Sequence, residues 1–222
     1  MWDASFLFNG NTIPRLLEGL MVTLRISLIS VALSIPLGIV LGALYTRKNR
    51  VIHALMWLYL TFVRIMPQLV LLYIVFFGSA KWFGLNFSGE AASIIVFTLW
   101  GAAELADLVR AALESIDQSQ YDSAFALGLT RRQTFSRVIL PQAVRRMIPP
   151  SVNLITRIVK TTSLCMLIGV VEVMRVGQQI IDFNRFDYPG SALVVYAVLA
   201  LLYFALCWPL SMFSRWLERR NT

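Results

Sequence analysis

Residues 26–46, ISLISVALSIPLGIVLGALYT, decide the class of this protein. The run contains no charged residue, and hydroxyl groups are its most polar side-chain groups. Residues 188–214 form a second charge-free run that is longer still. Because a helix of about 20 apolar residues crosses the hydrocarbon core of a bilayer, each run is long enough to span a membrane.

The amino-acid composition also points to a membrane protein. The chain has 222 residues, of which 58% are hydrophobic and 14% are charged. Soluble domains carry about 25% charged residues, so this chain lacks the polar surface that a soluble protein needs. No low-complexity linker and no internal repeat divides the sequence, which favours a single domain over residues 1–222.

Three further apolar segments contain ionisable residues and complete the predicted set of spans. Pro67 predicts a kink in the first of them. The last is the weakest candidate because it holds Lys160, Glu172 and Arg175. The predicted fold is all-α, an integral membrane helical bundle with about five transmembrane helices over residues 20–44, 52–79, 90–114, 158–180 and 190–214.

The distribution of Lys and Arg predicts the orientation in the membrane. Cytoplasmic loops carry the excess of these residues. With five spans, only three of them fall on the side of the N-terminus: Arg15, Lys81 and Arg185. Eleven fall on the other side: Arg47, Lys48, Arg50, Arg131, Arg132, Arg137, Arg145, Arg146, Arg215, Arg219 and Arg220. The sequence therefore predicts an external N-terminus, a cytoplasmic C-terminus and a cytoplasmic loop over about residues 116–147.

Several classes of site are not predicted. The two cysteines, Cys165 and Cys207, and the single histidine, His53, do not form a metal-binding or disulfide pattern. Neither a Walker-type phosphate loop nor a nucleophile elbow is present, so we predict no catalytic residue, and any ATP must be bound by another chain. The net charge of +8 is explained by membrane orientation and contact with lipid, without nucleic acid.

Charged residues inside the spans predict a route for a solute, because an ionisable group at bilayer depth normally faces protein or water. A zwitterionic solute needs a cation for its carboxylate and acceptors for its ammonium group. The predicted path residues are Arg64, Gln68, Glu104, Asp107, Arg110, Thr161 and Thr162.

Two alternatives for these charges stay open. Asp107 and Arg110 lie three residues apart on one helix face, and a mutual ion pair is an equally good explanation for them. A purely structural role is likewise an alternative for Arg64 and for Glu172 with Arg175, because buried charges usually need partners. Glu104 has no obvious cation nearby in the sequence, which makes it the preferred candidate for substrate selectivity.

The predicted cytoplasmic loop contains the most informative stretch, YDSAFALGLTRRQTFSRVILP at residues 121–141. Its local signals predict two short helices joined by a sharp corner. The signals are N-caps at Asp122 and Ser123, a left-handed C-terminal residue at Gly128, a capping box from Thr130 to Gln133, and a stop or kink at Pro141.

Two interpretations fit this loop from its physical chemistry alone. It is basic and amphipathic, so it suits docking into a groove on a soluble partner. A surface helix held by anionic lipid explains the same pattern equally well.

The sequence resembles the permeases of binding-protein-dependent ABC importers, in particular the polar amino acid uptake subfamily of histidine, glutamine and arginine permeases. The cytoplasmic signature is similar at Asp122-Ser-Ala, Gly128 and Ile139-Leu-Pro141, although that family usually has Glu-Ala-Ala at the first three positions. Further similar stretches, in the same order, are residues 19–27, 63–70, 106–110 and 160–164.

This resemblance implies a type I ABC importer permease fold in a bacterial inner membrane, without enzyme activity of its own. The implied partners are two ATP-binding cassette subunits that bind ATP and Mg, a second identical or homologous permease, and an extracytoplasmic solute-binding protein. A coupling helix at about residues 123–135 would touch the ATPase. The implied coupling residues are Asp122, Ser123, Ala124, Gly128, Arg131, Leu140 and Pro141.

Two other classes remain alternatives. A secondary transporter or channel for small polar solutes would use the same charged spans without ATP, but such transporters usually contain internal repeats. A non-catalytic membrane scaffold would not need polar residues inside its spans. The importer is therefore the favoured prediction.

Overall fold

The computed structural model of the protein describes residues 5–8, 10–47 and 49–221. Residues 220 and 221 are described by their backbone alone. Lys48 and the side chain of Arg220, both used above for orientation, lie outside this description. Within it the chain is helical and contains no strand, as predicted. The α-helices are α1 (Ser5–Phe8), α2 (Thr12–Tyr45), α3 (Arg50–Ile65), α4 (Gln68–Tyr73), α5 (Ser79–Phe83), α6 (Gly89–Glu114), α7 (Gln118–Ala126), α8 (Arg131–Thr134), α9 (Leu140–Thr161), α10 (Val173–Asn184) and α11 (Ser191–Asn221).

Among the residues that the structure describes, four continuous helical stretches are long and apolar enough to cross a bilayer. Helices suit this role because each satisfies its own backbone hydrogen bonds in lipid. The stretches are Thr12–Tyr45, Gly89–Glu114, Arg131–Ile168 and Ser191–Arg219. A fifth candidate is a broken pair, Arg50–Ile65 with Gln68–Phe83.

The break in this second candidate span lies at the predicted kink. Met66 ends α3 with ψ at 134°, and Pro67 precedes α4. A proline disfavours the helical conformation of the residue before it and cannot donate a backbone hydrogen bond. The predicted continuous range 52–79 is therefore two helical pieces, with a π-helical turn at Ile74–Gly78 in the second.

The structure differs most from the prediction in the fourth span. Residues 158–180 do not form one helix, because the 3-10 segment Thr162–Ile168 ends at Gly169 in the left-handed conformation. A new helix, α10, begins after Glu172. The long apolar helix lies earlier, at Arg131–Ile168. Its basic residues hide it from a search for charge-free runs.

The described chain divides into two compact units, and the long helices contribute to both. The first unit contains the described residues up to Val31, with Pro67–Phe97 and Thr156–Pro209. The second contains Ala32–Met66, Thr98–Ile155 and the residues from Leu210 onward.

Each unit has its own close packing. In the second unit, a Cβ atom on Gly38 would lie 2.7 Å from Leu105, and one on Gly42 would lie 2.6 Å from Val109. These two glycines therefore let α2 and α6 approach closely. In the first unit, α1, α2, α10 and α11 share a core formed by Phe6, Leu16, Val173, Val176, Ile180, Val194, Val195 and Leu199.

Candidate functional site

An ionic cluster in the second unit joins the last turn of α3 to α6, with Asp107 at its centre. Asp107 Oδ2 accepts a hydrogen bond from Arg64 Nη1 at 2.8 Å. Its other oxygen, Oδ1, accepts from Arg110 Nη2 at 2.7 Å and from Nε at 3.2 Å. The ion pair between Asp107 and Arg110, one of the two alternatives drawn from their spacing, is thus present, and Arg64 is a second partner.

Two more carboxylates extend the cluster. Glu104 Oε1 accepts from Arg64 Nε at 3.3 Å. Glu104 has no cation close to it in the sequence, and the fold brings Arg64 to it from another helix. Glu114 Oε2 accepts from Arg110 Nη1 at 2.6 Å. The Tyr45 ring lies 5.2 Å from Arg110 Cζ, within the range of a cation–π contact.

The cluster faces a cavity of about 450 Å³ in the same unit. This volume falls in the range of roughly 300–1,000 Å³ that is usual for small-molecule sites. The cavity presents both signs of charge beside apolar and aromatic side chains. Its lining residues are Tyr45, Trp57, Leu60, Thr61, Arg64, Ile65, Glu104, Asp107 and Arg110.

The charges of the cluster are paired but not sealed from the cavity. The side chain of Arg64 is 39% exposed and that of Asp107 is 25% exposed. Pairing reduces the cost of holding charges in an apolar bundle. Partial exposure leaves the groups in contact with the cavity contents, so their partners can be exchanged.

The other three predicted path residues belong to the first unit. Gln68 is partly buried at the start of α4. The Thr161 hydroxyl donates to the backbone oxygen of Arg157 at 2.8 Å. Thr162 is fully buried, and its hydroxyl donates to the oxygen of Val159 at 2.7 Å. The path role of Thr162, like those of Gln68 and Thr161, stays a prediction.

The first helix of the predicted cytoplasmic loop is α7, and it begins earlier than expected. Asp117 is its N-cap, and the carboxylate accepts from the backbone N–H of Ser119 at 2.8 Å. The predicted caps, Asp122 and Ser123, lie inside the helix, where Asp122 accepts from the side chain of Gln118 at 3.1 Å. The backbone hydrogen bond from Ser119 lowers the pKa of Asp117 below its ordinary value.

The corner between the two helices is formed as predicted. Gly128 has φ at +78°, which favours glycine. The N–H of Leu129 donates back to the oxygen of Ala124 at 3.1 Å. Thr130 then caps α8, and the predicted capping box with Gln133 is present. The predicted single coupling helix at residues 123–135 is therefore wrong, because the Gly128 corner divides that range.

Pro141 does not end the second helix of the predicted loop. The preceding turn, Phe135–Ile139, is π-helical, and the N–H of Leu140 donates to the oxygen of Phe135, five residues earlier. A π-helical turn re-routes the backbone hydrogen bonds that a proline would otherwise break. The helix consequently continues from Arg131 through Pro141 to Ile168.

Polar contacts tie this long helix to α7 and to the end of α6. Gln142 donates to the side-chain oxygen of Gln120 at 3.1 Å. Arg146 Nη1 donates to the backbone oxygen of Ser115 at 2.5 Å. Around the corner, the exposed surface mixes basic Arg131 with apolar Leu127, which is 81% exposed.

The pattern of the family described as "Binding-protein-dependent transport system inner membrane component" matches residues 34–222. The chain belongs to this family. It is thus a multi-pass permease component, and the ionic cluster and the loop with the Gly128 corner both lie inside the matched range.

Two relatives of this permease come from Bacillus subtilis (strain 168). The probable amino-acid ABC transporter permease protein YckA is 32% identical over 223 residues, which covers 99% of this chain and 95% of the relative. The probable glutamine ABC transporter permease protein GlnP is 34% identical over 206 residues, covering 92% and 93%.

Solved structures confirm the fold of the permease. An amino acid ABC transporter crystallised with histidines has a chain that matches with a TM-score of 0.86 and 24% identity, covering 99% of this chain and all of that one. An inward-facing methionine ABC transporter has a chain that matches with a TM-score of 0.67 and 18% identity, again over the full length of both. The expected type I ABC importer permease fold is therefore confirmed.

A second carboxylate of the permease has surroundings that its sequence did not reveal. Glu172, in the first unit, is fully buried. It accepts from the backbone N–H groups of Met174 at 2.9 Å and Arg175 at 2.8 Å, and it lies 3.5 Å from the Thr23 hydroxyl and 3.4 Å from the Tyr203 hydroxyl. Arg175 contributes its backbone N–H to Glu172, and its guanidinium donates to the side chain of Gln178 at 3.5 Å.

Three residues with clear structural roles were missed by the sequence analysis. Asp117 caps α7, Arg146 fixes the end of α6, and Tyr203 reaches Glu172. Asp117 directly precedes the first residue of α7, and an aspartate is a common N-cap residue, so the sequence did contain this signal. The partners of Arg146 and Tyr203 are distant along the chain and left no local pattern.

Proposed function

We propose that this permease is the transmembrane subunit of an ATP-driven importer for a polar amino acid or a similar small zwitterionic solute. The observation that carries the proposal is the similarity, over nearly the full length of both chains, to permeases named for amino acids and glutamine. The cavity at Asp107 supports it, because a zwitterion needs both a cation and a carboxylate.

In this proposal the permease works with partner chains. An extracytoplasmic binding protein delivers the solute, a second permease of the same or a homologous sequence completes the pathway, and two ATP-binding cassette subunits bind ATP and Mg and hydrolyse the ATP. The N-terminus lies outside and the C-terminus in the cytoplasm, following the asymmetry of Lys and Arg. Membrane lipid surrounds the assembly.

The proposed coupling element is α7, the Gly128 corner and the start of α8, together with Leu140 and Pro141. Capped helix ends and the Gln120 to Gln142 contact make this element stiff. A stiff element transmits a displacement when the ATPase subunits close, whereas a flexible loop absorbs it. The proposed contact residues are Asp122, Ser123, Ala124, Gly128, Arg131, Leu140 and Pro141.

The proposed path for the solute passes the ionic cluster. The carboxylate and ammonium groups of the solute replace, for the time of passage, part of the contacts that Arg64, Glu104, Asp107 and Arg110 make with one another. Such an exchange keeps every charge partnered, which lowers the barrier for a charged solute in an apolar bundle. Gln68, Thr161 and Thr162 are further path candidates.

Transport by the reconstituted complex tests this function. The full-length permease is reconstituted in liposomes with its ATP-binding subunit and binding protein. Uptake of radiolabelled amino acids is measured with ATP only inside the liposomes, with ATP only outside, and without ATP. The proposal predicts uptake that requires ATP on the cytoplasmic side and an ATPase rate that rises with the loaded binding protein. Uptake that persists without ATP would contradict it and favour a secondary transporter or channel.

A further inference from the structure

The two arginines of the ionic cluster differ in how many of their guanidinium nitrogens already have a hydrogen-bond partner. The Arg110 guanidinium uses Nε and Nη2 for Asp107 and Nη1 for Glu114, and one of its faces lies over the Tyr45 ring. All three of its nitrogens are therefore engaged. A solute carboxylate can reach Arg110 only by displacing one of these partners.

Arg64 keeps one nitrogen of its guanidinium for another ligand. Its Nε contacts Glu104 and its Nη1 contacts Asp107. Its Nη2 makes no hydrogen bond within residues 5–8, 10–47 and 49–221, and the side chain lines the cavity with 39% of its surface exposed. The guanidinium group carries five N–H donors in one plane, and two of them belong to Nη2.

Glu104 contacts the same guanidinium group and supplies the opposite charge. Its Oε1 is 3.3 Å from Arg64 Nε, and it lines the same cavity. A carboxylate provides about four acceptor positions, so one carboxylate can accept hydrogen bonds from a guanidinium and an ammonium group together. Cation and carboxylate thus stand next to each other at one wall.

An adjacent cation and carboxylate suit the head group of an amino acid. In every α-amino acid, one carbon atom separates the carboxylate from the ammonium group, so a site for both needs an adjacent cation and carboxylate. Charge-assisted hydrogen bonds to a planar guanidinium are among the strong polar contacts in proteins. The apolar walls, which include Trp57, Leu60 and Ile65, leave room for a side chain.

We propose that Arg64 and Glu104 form a head-group site for a free α-amino acid, with Arg64 Nη2 binding the carboxylate and Glu104 binding the ammonium group. Arg110 lies next to this site and holds Asp107 in place. This inference rests on the proposed function and narrows it. The ligand must carry both unmodified groups, so decarboxylated amines and deaminated acids bind more weakly.

Ligand pairs test the site on the full-length permease in complex with its ATP-binding subunit, in lipid nanodiscs. The probes are L-glutamine and L-arginine, each with its decarboxylated amine and its deaminated acid, and equilibrium binding is measured for every ligand. The wild-type complex should prefer the amino acid to either analogue by roughly 10- to 100-fold, the value of a hydrogen bond to a charged group. Because the preference is a ratio measured on one variant, partial loss of active protein does not alter it.

Three substitutions assign the two roles. Arg64→Gln should bring the preference over the amine close to one, whereas Glu104→Gln should do so for the preference over the deaminated acid. Glu114→Gln is the matched control, because Glu114 belongs to the ion-pair cluster but does not line the cavity, and it should keep both preferences whatever its absolute affinity. If Arg64→Gln does not assemble with the ATP-binding subunit, Arg64→Lys replaces it. Lys keeps the charge beside Asp107 but lacks the planar guanidinium group, and the preference over the amine should again fall.

Each contrary result points to a different claim. Unchanged preferences in the Arg64 and Glu104 variants, or a wild-type complex that binds the amino acid no better than its analogues, would overturn the head-group site and leave the importer proposal in place. A wild-type complex that binds neither amino acid, with an ATPase rate that no amino acid raises through the binding protein, would remove the proposed function and this inference with it.

Discussion

Asp107 and Glu172 are both carboxylates within apolar helical segments, and the structure treats them in opposite ways. Asp107 is partly exposed to a cavity and is held by two guanidinium groups. Glu172 has no exposed surface and is held by two backbone N–H groups and the neighbouring hydroxyls of Thr23 and Tyr203.

The difference concerns what each carboxylate can do. Long charged side chains around Asp107 can move and exchange partners in contact with water or solute. Two donors to Glu172 are backbone N–H groups in the first turn of α10. They cannot move away from the carboxylate without unwinding that helix. We infer that the Asp107 cluster acts on the solute and that Glu172 fixes the fold by joining α2, α10 and α11.

The largest effect is expected at Glu172. Glu172→Ala removes the cap of α10 and leaves buried N–H and hydroxyl donors without an acceptor, which should lower the stability by roughly 2–4 kcal/mol. Thermal unfolding in detergent measures this loss. Glu114→Ala, at a carboxylate that is 57% exposed, is the control and should cost less than about 1 kcal/mol. Equal losses in the two variants would contradict the structural role of Glu172.

A second effect separates transport from stability at Asp107. Asp107→Asn removes the charge that both arginines share, and transport should fall by roughly tenfold or more, the cost of about one charge-assisted hydrogen bond. Its loss of thermal stability should be smaller than that of Glu172→Ala, because the cluster remains partly solvated. Asp107→Glu is the matched variant and should retain most of the transport. A fully active Asp107→Asn permease would show that the cluster is only structural.

The corner at Gly128 should give an intermediate effect. Gly128→Val forces a branched side chain into the left-handed region, at a cost of roughly 1–2 kcal/mol. The expected result is a permease that still assembles but couples poorly, with fewer solutes moved per ATP hydrolysed. Asn tolerates this conformation, so Gly128→Asn should lie closer to wild type. Native transport rates in Gly128→Val would make the corner irrelevant.

The smallest effect is expected at the exposed cap of α7. The pKa of Asp117 is lowered in the folded chain, so its contribution is present above the ordinary pKa of an aspartate and is lost as the pH falls through the lowered value. Hydrogen exchange of the Ser119 amide should therefore accelerate in acid. Asp117→Asn still caps the helix, and its exchange should lose this pH dependence. An identical acid response in both proteins would exclude Asp117 as its source.

The parts of the fold that depend on local chemistry were predictable. The spans at 20–44 and 190–214 follow from composition, and the corner at Gly128 with its capping box follows from residues within ten positions. The fourth span was not predictable in this way, because Arg157 and Lys160 lie inside the helix that continues to Ile168. These charged residues lower the local hydropathy, so a search for apolar runs does not find the helix that contains them.

The candidate site divides along the same line. Sequence spacing was enough to place Asp107 beside Arg110 on one helix face. It did not show that Arg64 approaches Glu104, because that contact joins residues 40 positions apart on two helices. Nor did it show that Thr162 faces inward, which depends on the packing around a 3-10 turn. Contacts between helices carry the information that a local pattern lacks.

One measurement tests the central claim that the exposed cluster acts on the solute while the buried carboxylate fixes the fold. Stimulation of ATPase activity by amino acid and binding protein is compared with basal ATPase activity in nanodiscs for wild type, Asp107→Asn and Glu172→Asp. The account predicts that Asp107→Asn keeps its basal rate and loses the stimulation, whereas Glu172→Asp keeps the stimulation and unfolds at a lower temperature. Full stimulation in Asp107→Asn together with its loss in a stably folded Glu172→Asp would contradict the account.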